Sequence, residues 1–78
     1  MEFEKLKLII AEILSVNPKD IKEDMSFFDD FGADSLQVFQ IVMDAESEFD
    51  VLIDDKNSKT IDTVGDLLEL ITGKPVSE

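Results

Sequence analysis

Asp30-Phe31-Gly32-Ala33-Asp34-Ser35-Leu36 is the stretch on which the reading of this chain turns. Gly32 suits a turn with positive φ just ahead of a helix, a backbone region that residues with a Cβ resist. Asp34 is a strong N-cap, and Gln37 three residues on completes a capping box with it. Ser35 then falls in the first helical turn with its side chain free, because the cap belongs to Asp34. A first turn has unpaired N–H groups and the positive end of the macrodipole, so an attached or bound phosphate sits well there. A serine in an isolated Asp-Ser pair more often just helps to cap its helix. The surrounding chain has to decide between these readings.

Downstream, the pattern predicts a helix from about Ser35 to Phe49. Placed at 100° per residue, Gln37, Gln40, Asp44, Ser47 and Glu48 gather on one face. Leu36, Val38, Phe39, Ile41, Val42, Met43, Ala45 and Phe49 cover the rest, an arc wider than one buried stripe needs. Plain core is the default for such side chains. The alternative is that Leu36, Phe39 and Met43, near the polar margin and the Ser35 end, stay exposed for a partner.

Upstream, Phe3, Leu6, Ile9, Ile10, Ile13 and Leu14 recur at three- and four-residue steps and predict a helix over about 3–15. Asn17-Pro18 ends it, since a residue before proline is pushed out of the α region. The connection to Gly32 is too long to lie structureless in a small domain. Short helical turns are expected near Pro18–Ile21 and at Ser26–Asp29, with Ser26 as cap. Ile21, Met25, Phe27 or Phe28, and Phe31 would pin this loop to the core.

Val51-Leu52-Ile53 is too short to type by periodicity. A short third helix is expected to begin within Asp54–Ile61. Asp54, Asp55 and Asn57 have the oxygen donors of a calcium loop but lack its glycine and terminal glutamate, so a solvated turn is the better reading. Thr63 and Asp66 bracket the start of a last helix whose apolar face is Val64, Leu67, Leu68, Leu70 and Ile71. Gly73 and Pro75 stop it. The expected fold is all-α: a small irregular bundle of three longer helices plus one short helix, one domain over 1–78. Leu6, Ile10, Ile13, Val42, Phe49, Leu67 and Ile71 are its predicted core.

Composition narrows the function. The chain of 78 residues has a net charge of −12, from 19 acidic residues against 7 lysines, with no arginine. Phosphate-backbone binding needs the opposite sign, so no nucleic-acid partner is expected. An apolar content of 44% is too high for a disordered acidic tail. Cysteine is absent, which excludes a disulfide framework and a thiolate metal site. No apolar run approaches a membrane span. Met1-Glu2-Phe3-Glu4 opens straight into helical periodicity without a leader pattern, so a cytoplasmic protein is expected. Histidine is absent as well, so no Ser–His or Cys–His pair can activate Ser35. The composition argues against an enzyme.

With Phe31-Gly32-Ala33 before it, Asp34-Ser35-Leu36 resembles the attachment signature of the acyl carrier protein family: Gly, any residue, Asp-Ser-Leu after an apolar residue. The likeness extends through Val42-Met43, Glu46-Ser47-Glu48-Phe49-Asp50 and Ile61-Asp62-Thr63-Val64, over about residues 3–73. It implies that a separate phosphopantetheinyl transferase, using coenzyme A and a divalent metal, attaches 4′-phosphopantetheine to Ser35 through a phosphodiester. Asp34 and Leu36 would flank the attachment site. Growing acyl chains would ride on the arm's thiol as thioesters, and the bundle would shelter them between its helices. An added group supplies the chemistry that a chain without cysteine or histidine lacks. The tether raises the local concentration of cargo at a docked enzyme, and the negative surface speeds docking to basic patches on fatty-acid synthesis enzymes.

The partner face implied by the resemblance comprises Leu36, Gln37, Phe39, Gln40, Met43, Asp44 and Glu46 on a monomeric carrier. Common fatty-acid carriers are acidic where this chain has Gln37 and Gln40, and many are acidic at Lys56 and Lys59. Asp54 stands where relatives often have proline. These departures leave open a dedicated polyketide or specialised lipid pathway. A reading from another class is an acidic adaptor or nucleic-acid mimic without a prosthetic group, which explains the charge but not the Ser35 junction. Self-repulsion at −12 predicts that added magnesium or salt raises the melting temperature. Indifference to both would show that repulsion is not limiting.

Overall fold

The computed structural model describes residues 2–53 and 60–73. Helix α1 spans Glu2–Leu14, α2 spans Ser35–Phe49 and α3 spans Val64–Thr72. Glu2 and Glu4 lie in the first turn of α1, where negative charge complements the macrodipole. Lys7 bonds back to Glu4 at 3.0 Å and sits 4.8 Å from the centroid of the Phe3 ring. The helix ends where Ser15 turns to a φ of 59°. Pro18–Asp20 then forms a single 3₁₀ turn, with Asn17 Oδ1 accepting from the Lys19 N–H at 2.9 Å.

All three helices pack against one another. Leu6 and Ile10 of α1, Val38, Ile41, Val42 and Ala45 of α2, and Val64, Leu67, Leu68 and Ile71 of α3 form one buried cluster. Two expected core residues sit at its margin. Ile13 is half-buried because it lines an open groove between α1 and α2, together with Glu12, Gln40, Met43 and Asp44. Phe49 is half-buried because it is the last residue of α2, where Asp50 turns the chain into the left-handed region. Ala11, too small to register as a core signal, is buried.

The loop from α1 to α2 is fixed chiefly by the entrance of α3. The Phe27 N–H donates to the Asp62 carbonyl at 2.8 Å, and the Val64 N–H donates to the Met25 carbonyl at 3.0 Å. These bonds form an antiparallel bridge between Ser26 and Thr63. One residue further on, the Gly65 N–H donates to the Glu23 carbonyl at 2.7 Å. A Cβ at Gly65 would stand 3.0 Å from that carbonyl oxygen, so glycine is what lets the loop lie so close to the helix. Phe27 is the aromatic that anchors the loop. It is fully buried, with its ring 6.4 Å from that of Phe31, whereas Phe28 stays exposed. The segment from Ser26 makes turns rather than a helix, although the Ser26 hydroxyl accepts from the Phe28 and Asp29 N–H groups as a cap would.

Thr63 and Asp66 bracket the start of α3 as expected and form a capping box, and Gly73 closes the helix with a φ of 74°. The short helix expected within Asp54–Ile61, the oxygen donors of Asp54, Asp55 and Asn57, and Lys56, Lys59 and Pro75 lie wholly or largely outside the described residues. Among the described residues no acidic cluster is arranged to hold a metal ion, and no helix is long and apolar enough to cross a membrane. Leu67 is fully buried, so Leu67→Ala should cost about 2–5 kcal/mol in urea unfolding. For a domain this size that is a large part of the total stability. A loss below ~1 kcal/mol would mean that the site collapses around the smaller side chain.

Candidate functional site

The junction ahead of α2 is built residue by residue. Gly32 turns the chain with a φ of 67°. Ala33 is buried, and its N–H donates to the Phe27 carbonyl at 2.9 Å. Asp34 is extended, and its Oδ1 accepts from the Gln37 N–H at 2.8 Å. The Gln37 Oε1 accepts from the Asp34 N–H at 3.2 Å, closing the capping box. Ser35 is thereby the first residue of α2. It is exposed, and its hydroxyl makes no hydrogen bond among the described residues.

This arrangement fits a phosphate ester at Ser35 Oγ. The oxygen faces solvent, and no local bond has to be broken to reach it. The N–H groups of Ser35 and Leu36 have no intrahelical acceptor, and the positive end of the α2 dipole points at the same place. The first turn of α2 contains no acidic residue to repel a phosphate.

Beyond Ser35, α2 exposes a stripe of large apolar side chains. Leu36 is 65% exposed, Phe39 52% and Met43 51%. Gln40 and Asp44 are exposed on the adjoining face. No side chain from Ser35 to Met43 carries charge, although the chain as a whole is strongly acidic. Two residues of the expected partner face have structural bonds. Gln37 is half-buried in the capping box, and Glu46 is half-buried with its Oε2 accepting from the Ile53 N–H at 2.7 Å. Exposed Phe28 adds a further large apolar side chain, in the loop before the start of α2.

Sequence reasoning placed Ser26 as a local cap and missed its burial and its bond to Asp62. Among the described residues it is the one buried polar side chain. Its hydroxyl donates to Asp62 Oδ1 at 2.8 Å, and its N–H donates to Asp30 Oδ2 at 2.6 Å. The signal in the sequence was its small polar side chain between Met25 and the Phe27-Phe28 pair, one of which was expected to be pinned to the core with Met25.

A capped helix start with a free first-turn serine, beside an apolar stripe on a small acidic bundle, describes a carrier domain. The family model described as "Phosphopantetheine attachment site" matches residues 4–71. The chain is 46% identical over 70 residues to an acyl carrier protein of Clostridium perfringens, covering 90% of this chain and 92% of that one. It is 44% identical over 69 residues to one from Sulfurovum, covering 88% and 92%, and 46% identical over 72 residues to one from Thermotoga maritima, covering 92% and 89%. A solved structure from Mycobacterium tuberculosis, described as an acyl carrier protein, superposes with a TM-score of 0.88 at 32% identity, covering 94% and 97%. The acyl carrier protein of Enterococcus faecalis gives 0.75 at 26% identity, covering 94% of each chain. The chain belongs to the phosphopantetheine-bearing acyl carrier protein family. Its function is to carry acyl groups on 4′-phosphopantetheine, so the readings without a prosthetic group are set aside.

Proposed function

We propose that Ser35 is the attachment residue, and that this single carrier domain serves fatty-acid synthesis by separate enzymes in the cytoplasm, as a monomer. The observation that carries the reading is the division of labour at the junction. Asp34 and Gln37 hold the cap between them, which leaves the Ser35 hydroxyl without a structural task. With no histidine or cysteine in the chain, the base that takes the Oγ proton comes from a phosphopantetheinyl transferase. Once attached, the group supplies a thiol on a flexible arm, on which acyl chains are held as thioesters. The chain's own part is to present one oxygen, to favour negative charge on it through the start of α2, and to dock. It catalyses nothing itself.

Asp34 and Leu36 flank the attachment oxygen and are the residues a transferase would read together with it. Docking to fatty-acid synthesis enzymes uses Leu36, Phe39 and Met43 as the apolar centre. Gln37 and Gln40 lie beside that centre, and exposed Asp44 meets basic residues further along, while Glu46 holds the exit of α2 beside it. Charge then acts mainly at a distance, speeding encounter with basic patches, while the contact itself is apolar packing. Gln37 and Gln40 are the positions that shift the balance this way.

Intact mass after incubation with coenzyme A and a phosphopantetheinyl transferase tests the attachment. Wild type should gain one phosphopantetheine and Ser35→Ala none; an unmodified wild type would overturn the assignment. Gln40 is exposed and outside the capping box, so changing it leaves the cap of α2 intact. Gln40→Glu should increase affinity or rate with a fatty-acid synthesis enzyme that has a basic docking patch. No gain would count against the apolar-centred surface.

A further inference from the structure

Ser26 lies nine positions before Ser35 in the chain and outside the attachment junction, yet it is the most heavily bonded side chain around it. Its hydroxyl donates one bond, to Asp62, and accepts two, from the N–H groups of Phe28 and Asp29. Its own N–H is held by Asp30, and its carbonyl accepts from the Asp30 and Phe31 N–H groups. The next residue, Phe27, is fully buried. It donates its N–H to the Asp62 carbonyl and accepts from the Ala33 N–H. Ala33 is bonded directly to Asp34. A continuous path of hydrogen bonds and short covalent links therefore runs from the entrance of α3, through Ser26 and Phe27, to the residue that caps α2.

The far end of this path is itself fixed. Asp66 Oδ2 accepts from the N–H groups of both Asp62 and Thr63 at 3.0 Å, so the first turn of α3 holds Asp62 in place. No hydrogen bond links α3 to Ser35 among the described residues, and the loop 26–33 connects the two.

We infer that Ser26 is a positioning residue for modification at Ser35: with Asp62 it holds the loop 26–33 so that the α2 cap is presented to the transferase in one conformation. This rests on the assignment of Ser35 as the attachment residue. Without the Ser26 hydroxyl, the Phe28 and Asp29 N–H groups lose their acceptor and the loop loses its side-chain tie to α3. The Ala33 bond to Phe27 then holds the junction for only a fraction of the time. A transferase that binds the ordered junction meets its substrate at that reduced fraction, so the apparent KM rises while turnover of the bound carrier does not.

The experiment measures phosphopantetheine transfer from coenzyme A to the full chain, with kcat and KM taken separately, for wild type, Ser26→Ala, Ser26→Thr, Asp62→Ala and the double alanine variant. Far-UV circular dichroism reports helix content at the assay temperature. Hydrogen exchange at Ala33 and Leu67 compares the junction with the core. Ser26→Ala should raise KM about 5- to 30-fold with kcat within about twofold. Exchange at Ala33 should accelerate more than exchange at Leu67. Ser26→Thr, which keeps the hydroxyl, should restore most of the effect.

Asp62 is exposed, so its truncation removes the hydroxyl's acceptor without opening the core. Asp62→Ala should raise KM in the same direction, and the double variant should be no worse than Ser26→Ala, because both remove one shared interaction. An unchanged KM in folded Ser26→Ala overturns the inference, as does equal acceleration of exchange at Ala33 and Leu67. If Ser26→Ala does not fold, Asp62→Ala decides alone, and an unchanged KM there is equally fatal. Failure of the Ser35 assignment looks different: wild type would take up no phosphopantetheine, or Ser35→Ala would still be modified.

Discussion

The constraint on which this small fold depends is the backbone pairing between Met25–Phe27 and Asp62–Val64. Three helices can bury one cluster of apolar side chains by themselves, but they cannot by themselves fix a long connection across their ends. Here the connection is held by main-chain bonds to the entrance of α3, by the close approach allowed at Gly65, and by the buried ring of Phe27. Main-chain bonds set distance and register more narrowly than apolar contact does, because they are directional. The start of α2 thus inherits its place from two elements that are distant in sequence. A chain of this size has little stability to spare, so it is economical that one short bridge orders both the loop and the cap of α3.

Placing the proposed attachment oxygen in a first helical turn also separates two demands that conflict within a single residue. A serine that capped the helix would hold its hydroxyl in a bond to the backbone, and esterifying it would remove the cap. With Asp34 in that role, the cap of α2 makes no use of the Ser35 hydroxyl. The proposed docking stripe follows the same economy: Leu36, Phe39 and Met43 face water because the opposite side of α2, through Val38, Ile41, Val42 and Ala45, already satisfies the core.

Much of this was legible in the sequence because helix ends have local chemistry. Asp34 with Gln37, and Thr63 with Asp66, are capping pairs that need no tertiary information, and both are present as expected. Gly32 turns the chain with the positive φ anticipated there, and Gly73 ends α3 where a stop was expected. The start of α2 follows from the same local signals, whereas its end at a left-handed Asp50 has no such signal. What could not be read was long-range. Phe27 and Phe28 are chemically alike, and only the bridge to Asp62 decides which one is buried. The bond from Ser26 to Asp62 spans 36 positions and has no periodic signature. The breadth of the apolar arc on α2 left core and surface as alternatives. The geometry resolves it by covering one side and leaving Leu36, Phe39 and Met43 in solvent.

The acidic side chains of this protein fall into two populations that a net charge merges. Asp30, Asp34, Glu46 and Asp66 accept backbone N–H groups, and Asp62 accepts the Ser26 hydroxyl. These carboxylates serve as hinge pins, closing helix ends and loops from within. Others, such as Asp44, have no such bond among the described residues and are simply displayed. A charge-reversal scan scored only by enzyme docking would therefore merge two phenotypes. Reversal at Glu46 would free the exit of α2 at Ile53, and the resulting loss of binding would look like a lost contact. Only a scan that records folding beside docking would separate the carboxylates a partner meets from those that hold in shape the surface it meets.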